Sequence, residues 1–244
     1  MAAPELPRPA FYALGSGGWR DLVTLLHPPY TAWHLSYVAL GAAVAPVFHG
    51  ERLAAALAAF FLGVGVCAHA LDELNGRPLR TGLSDRTLVG LAVVALVGAV
   101  GIGVAGLFVV SWQLAPLIAA GAFIVVAYNL ELFGGRFHSD FWFALSWGAF
   151  PAFVGYWCNA LTLRPAGVLV AAACFAMSVA QRRLSTPVRE LRRRTLAVSG
   201  EQRLADGRAV PLTAARIAAP LDGALAALSL AMVLLACAAV AARV

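Results

Sequence analysis

His69, Asp72 and Glu73 stand at i, i+3 and i+4 in CAHALDELNGRPLRTGLSDRTL (residues 67–88), so on a helix all three share one face. Asn75 and Arg77 lie just beyond the expected helix end, and Arg80 follows. Carboxylates so placed are fit to hold one divalent cation, or to pair with arginines of a neighbouring loop. The plainer alternative is a helix end solvated by headgroup water, with His69 bonded to a carbonyl.

A second charged stretch, SVAQRRLSTPVRELRRRTLAVSG (residues 178–200), carries Arg182, Arg183, Arg189, Arg192, Arg193 and Arg194. Thr186-Pro187 reads as an N-cap followed by proline at the first helical position, which predicts a new cytoplasmic helix there. A helix N-terminus and arginine forks together suit phosphate. The same arginines beside a membrane helix equally serve as a topology anchor on anionic lipid. Arg182 and Arg183 are expected nearest any cavity, with Arg192 to Arg194 farther out among headgroups. Tyr128, Asn129, Glu131, Arg136 and His138 form a third polar group, which either lines the same cavity or belongs to an interfacial belt. His34 and Asp222 are lone polar groups in apolar surroundings.

The elements that must position these residues are membrane helices. Of 244 residues, 61% are apolar and only 12% charged, with a mean hydropathy of +0.80. A soluble domain carries about a quarter charged residues. Seven spans are expected, near Tyr30–Phe48, Leu53–Leu74, Thr87–Val110, Gln113–Leu130, Phe141–Ala160, Pro165–Ala180 and Thr213–Ala242. An amphipathic piece, GWRDLVTLLHPPY, precedes them as an interfacial helix. The division is thus an N-terminal cytoplasmic or interfacial segment, 1–29, and a transmembrane domain, 30–244, with an Arg-rich cytoplasmic loop over 181–212.

Arginine is concentrated after the second and sixth spans, Arg136 follows the fourth, and the alternate loops hold only Arg52, after the first span, and Arg164, after the fifth. The positive-inside rule then puts the N-terminus and the Arg-bearing loops in the cytoplasm and the C-terminus outside, in a multi-pass protein of the cell membrane. The first ten residues, MAAPELPRPA, lack the charged start and apolar core of a secretory signal. The four cysteines lie in separate apolar segments and read as packing residues. No nucleotide loop, zinc site or Ser-His-Asp set is visible, and no nucleic-acid partner is expected.

Three segments in order resemble the UbiA-type intramembrane prenyltransferases. NGRPLRTGLS is similar to the Asn-Arg-Pro-Leu-x-Ser-Gly that follows that family's first acidic motif. AYNLELFGGRFHSDFWFALSWGAFPAFVGYW looks like its fourth-to-fifth helix passage, and RRRTLAVSG is similar to the Lys/Arg-Thr-Leu-x-x-x-x-Gly after its second acidic motif. The resemblance runs from LLHPPYTAWHLSYVALGAAVAP to about Gly200. It implies an all-α, UbiA-like polytopic bundle that joins an isoprenoid diphosphate to an acceptor, with Mg²⁺ clamping the diphosphate. Asp72, Glu73 and Asn75 would be the catalytic residues, Asp72 and Glu73 holding a single ion. His69, Arg77, Arg80, Tyr128, Asn129, Arg136, Arg182, Arg183 and Arg189 would bind substrate.

The chain departs from the family pattern in two places. Asp72 is the one aspartate matching the first motif, and the second motif is replaced by SVAQRRLSTPVRELRRRT. One span follows the basic stretch, so the family's last helices have no counterpart. A non-catalytic lipid-binding or scaffold protein on the same fold therefore stands beside the enzyme as a reading. A small transporter using His34, His69, Glu131 and Asp222 as relay groups is a third.

Overall fold

The computed structural model describes residues 8–244. Residues 1–7, on which the expected N-terminal segment and the expectation of no secretory signal partly rest, lie outside the described residues.

Apolar runs and capping residues together set the helices. Helix α1 spans Trp19–Leu25. His27 then turns left-handed (φ 46°), and Pro28 and Pro29 open α2, Pro28–Ala43, at positions whose N–H groups have no intrahelical acceptor. Helix α3 runs Gly50–Leu74 and contains a widened π segment, Phe61–Ala68. It stops at Asn75, where Gly76 takes a positive φ of 97°. Helix α4 spans Asp85–Val109 behind Ser84, whose hydroxyl accepts the Thr87 N–H. Helix α5 spans Trp112–Asn129. Helix α6 covers residues 140–160, capped by Ser139 and interrupted by a second π segment, Leu145–Ala149. Helix α7 spans Pro165–Arg193, and α8 spans Ala214–Ala241 behind a Thr213 cap.

Successive long helices alternate in direction between two ends of one bundle. At one end the His49 N–H reaches Asn159 Oδ1 (2.7 Å), Arg52 reaches the Cys158 carbonyl (3.0 Å) and Arg243 reaches the Ala45 carbonyl (2.9 Å). At the opposite end α3, α5 and α7 finish and α2, α4 and α8 begin. Helix α2 is the hub, packed on α6 and α8 with Trp33 and Tyr37 wholly buried. Its contact with α6 is backbone on backbone. A Cβ on Gly41 would fall 1.9 Å from the Ala152 carbonyl oxygen, and one on Gly155 would fall 2.1 Å from that of Val38.

Five helices (α3, α4, α5, α7 and α8) are long and apolar enough to cross a membrane, which marks a multi-pass membrane protein. No charged residue occurs from Thr87 to Leu130. Val94, Val97 and Phe108 of α4 and Leu230 and Leu234 of α8 face outward, as lipid-facing side chains must. Helix α2, at 16 residues, and the interrupted α6 do not meet the same criteria of length and hydropathy.

The chain is mostly helical, as the all-α expectation has it, with one short antiparallel hairpin, β1 (Glu201–Arg203) and β2 (Ala209–Pro211), between α7 and α8. Two expectations need correction. Thr186-Pro187 does not start a helix, because Pro187 sits inside α7. An interior proline costs about 3 kcal/mol; Ser185 and Val188 are buried on either side of it, and the helix continues to Arg193. The Arg-rich stretch 181–212 is therefore helix as far as Arg193, and a loop bearing the hairpin beyond.

Candidate functional site

The ends of α3, α5 and α7, the start of α2 and the segment before α1 surround a polar cavity of about 270 Å³. His69, Asp72 and Asn75 reach it from α3, and Tyr128 and Asn129 from α5. Asn75 donates to the Asn129 carbonyl (3.1 Å), which ties those two helix ends together. Pro9 to Tyr12 roof the cavity, where Arg192 reaches the Arg8 carbonyl (3.1 Å) and Arg193 the Pro9 carbonyl (3.4 Å).

Four histidines bring imidazoles to the cavity from separate elements. His34 Nδ1 is 2.7 Å from the Trp147 carbonyl, His69 Nδ1 is 3.1 Å from that of Gly65, and His138 Nδ1 is 3.1 Å from that of Tyr128. A carbonyl only accepts, so each Nδ1–H donates, and in the neutral tautomer this leaves the lone pair on Nε2. His27 stacks on His69 with centroids 4.0 Å apart and planes 8° from parallel. The Tyr12 hydroxyl lies 2.7 Å from His27 Nδ1. Burial, with His69 and Arg193 nearby, holds the His27 pKa well below its ordinary value, so the ring is neutral near pH 7. Burial likewise raises the Tyr12 pKa, and its phenol keeps its proton.

Glu73 does not share the site with Asp72. Its side chain is fully buried under the loop after α3, accepting from the Leu79 N–H (2.9 Å), the Thr81 N–H (2.8 Å) and the Thr81 hydroxyl (2.9 Å). Both carboxylate oxygens are thus committed to bracing that loop. Among the described residues no three His, Cys, Asp or Glu side chains are grouped to hold a metal. Mg²⁺ demands near-octahedral oxygen ligation. Asp72, the carboxylate left on that face, does not supply it, so the residues present do not fit the expected shared ion.

The expected substrate contacts divide. His69, Tyr128, Asn129, Arg182 and Arg189 line the cavity. Arg77 turns away to pair with Asp85 and the Leu83 carbonyl. Arg80, Arg136 and Arg183 are exposed and outside it. Arg182 is bonded to Asp140 (2.7 Å) and lies 5.2 Å over the Phe143 ring. Arg193 lines the cavity where a lipid-facing position is expected, because the unbroken α7 brings Arg182, Arg189 and Arg193 to one side. Arg192 pairs with Asp222 of α8.

Five buried side-chain polar atoms lack a partner among the described residues: His27 Nε2, Tyr128 Oη, Gln181 Oε1, Arg192 Nε and Asp222 Oδ1. Four of these residues line the cavity, and Arg192 pairs with one of them. Native interiors satisfy nearly all such atoms, so their gathering at one cavity marks a place for a polar ligand. An apolar groove of about 160 Å³ between α3, α4, α5 and α6 adjoins it, the two sharing Val64 and Trp147. Gly63, Gly103 and Gly121 keep that groove open. Both π segments pass through this junction, Phe61–Ala68 carrying Val64 and Leu145–Ala149 carrying Trp147.

Tyr12, His27, Tyr30 and Gln181 are not singled out by the sequence. Their meeting depends on contacts across the whole chain, and no local spacing signals it. The chain matches no family model, no curated protein and no solved structure.

Proposed function

We propose that this chain binds an isoprenoid phosphate or diphosphate, with the headgroup in the polar cavity and the tail in the adjoining apolar groove. The observation that carries the reading is that the two spaces are neighbours, sharing Val64 and Trp147 as common lining, one lined with orphaned polar atoms and arginines, the other almost wholly apolar. An amphiphile fits that pair of surfaces; a wholly water-soluble solute fits only one of them.

The bundle around it is then a seven-span, UbiA-like one, counting α2 and α6 as crossings buried at the centre. Its N-terminus and cavity face the cytoplasm and its C-terminus lies outside the cell membrane. As a transferase it would move the prenyl group to an acceptor, with arginine charge stabilising the departing phosphate and a neutral imidazole Nε2 placed to take the acceptor's proton. The commitment of Glu73 to the loop supports a second reading, a lipid-binding or scaffold protein without catalysis.

Native mass spectrometry of the purified protein tests the binding. A co-purified isoprenoid phosphate is expected; bulk phospholipid alone would favour the scaffold, and a water-soluble solute a transporter. Release of pyrophosphate from a prenyl diphosphate offered with candidate acceptors separates enzyme from binder.

A further inference from the structure

We infer that the headgroup is held by Arg189 and Arg193 directly, with no divalent ion, and that Asp72 opposes the anion instead of helping to bind it. The inference rests on the proposed binding of a phosphate-bearing lipid, and it reverses the role that the spacing of Asp72 and Glu73 suggests.

A metal clamp needs several free oxygens converging on one point. Glu73 is withdrawn from that role by three hydrogen bonds to the loop, and the other acidic residues lining the cavity face other partners, Asp222 paired with Arg192 and Glu131 3.9 Å from His138 Nδ1. Two half-buried positive side chains there are by contrast uncommitted. Arg189 and Arg193 lie four residues apart on α7, on the same side of the helix, and both line the cavity. Neither has a carboxylate within salt-bridge distance among the described residues. Their polar contacts are long: 3.3 Å from Arg189 to the Thr186 hydroxyl, 3.4 Å from Arg193 to the Pro9 carbonyl. Of the other arginines near the cavity, Arg182 is occupied by Asp140 and Arg192 by Asp222, while Arg194 lines it with an exposed side chain.

The two guanidinium forks each offer a pair of N–H donors suited to gripping phosphate oxygens. They supply the positive charge that a metal would otherwise bring. Asp72 shares the cavity with both, so an arriving phosphate meets it as a like charge. Its part is to balance the two arginines while no anion is bound. The two clamps therefore predict opposite signs for one substitution. Removing a metal ligand weakens binding, whereas removing a like charge leaves it equal or tighter.

The test is binding of farnesyl diphosphate to the purified full-length protein in detergent, by calorimetry, with excess Mg²⁺ and again with excess EDTA. Wild-type affinity is expected to agree within about twofold between the two buffers. Arg189→Gln and Arg193→Gln are each expected to weaken binding by about tenfold or more, the scale of a lost charge-assisted bond. Asp72→Asn should bind as well or better, and Arg183→Gln, outside the cavity, should match wild type. Chelator-sensitive binding by wild type overturns the inference whatever the variants do, and needs no variant to fold. Wild-type affinity in both arginine variants overturns the arginine assignment. No binding by wild type in either buffer overturns the proposed function itself, a separate and recognisable failure.

Discussion

Replacing Glu73 with alanine should unfold the cavity's supporting loop without touching the ligand. The carboxylate accepts three hydrogen bonds, from Leu79 and Thr81 N–H groups and the Thr81 hydroxyl, in a place where its side chain sees no solvent. Alanine leaves those three donors buried and unpaired, at about 1–3 kcal/mol each. Partial rescue by entering water brings the expected total to about 3–6 kcal/mol. Glutamine keeps the shape but turns an amide toward donors, so about 1–3 kcal/mol is expected. Leu79 packs on Ala10 and Ala13, and the damage should therefore spread to the roof over the cavity. Thermal unfolding in detergent, followed by loss of the monodisperse peak, ranks the three proteins as wild type, then Glu73→Gln, then Glu73→Ala. Thr81→Val in both backgrounds closes the cycle, and its cost should shrink once Glu73 is gone. If Glu73→Ala melts with wild type while ligand binding disappears, Glu73 belongs to the ligand and the loop argument fails.

Stability should fall as pH drops below about 6.5. His27 is held neutral in the fold, so the unfolded chain binds its proton first and is favoured as pH falls from that value toward the depressed folded pKa. The pH dependence of unfolding should flatten in His27→Asn, which tolerates the left-handed backbone at this position; an unchanged slope would refute the assignment. Gly155→Ala should cost about 3 kcal/mol or more, because its Cβ meets backbone and not a side chain that swings aside; wild-type yield and melting would show that α2 and α6 separate easily. A reporter active only in the cytoplasm should be silent when fused at the C-terminus and active when fused within the β1–β2 hairpin, and the reverse pattern would overturn the seven-span orientation.

The apolar runs of this sequence made the helices legible. Expected spans such as Leu53–Leu74 and Thr87–Val110 fall within about three residues of Gly50–Leu74 and Asp85–Val109 at either end. Hydropathy works here because lipid forces each spanning segment to satisfy its own backbone. The site was legible only in part. His69, Asp72, Tyr128, Asn129 and Arg189 do meet, since helix ends at one face of a bundle must be neighbours. Glu73 was misread because spacing gives the face of a helix and not what covers it, here a loop whose Arg77 and Arg80 take left-handed backbone that arginine does not advertise. Thr186-Pro187 was misread because a proline at a helix start and one inside a packed helix look alike in sequence. The His27–His69 stack has no local signal at all.

The roof over the cavity has a consequence for how the protein is made. The carbonyls of Arg8 and Pro9 are latched by Arg192 and Arg193, partners 184 residues farther along the chain. Synthesis runs from the N-terminus at about 5–20 residues per second, so the roof emerges first and waits roughly ten seconds or more for the helix that fastens it. Until α7 has emerged, the imidazoles and carboxylates beneath stay open to water, which satisfies them at no cost. Seating the roof closes a loop of 184 residues, yet closure entropy grows only as the logarithm of loop length. The last step of assembly is thus cheap in chain entropy and dear in dehydration, and a headgroup already in place would relieve the larger of the two.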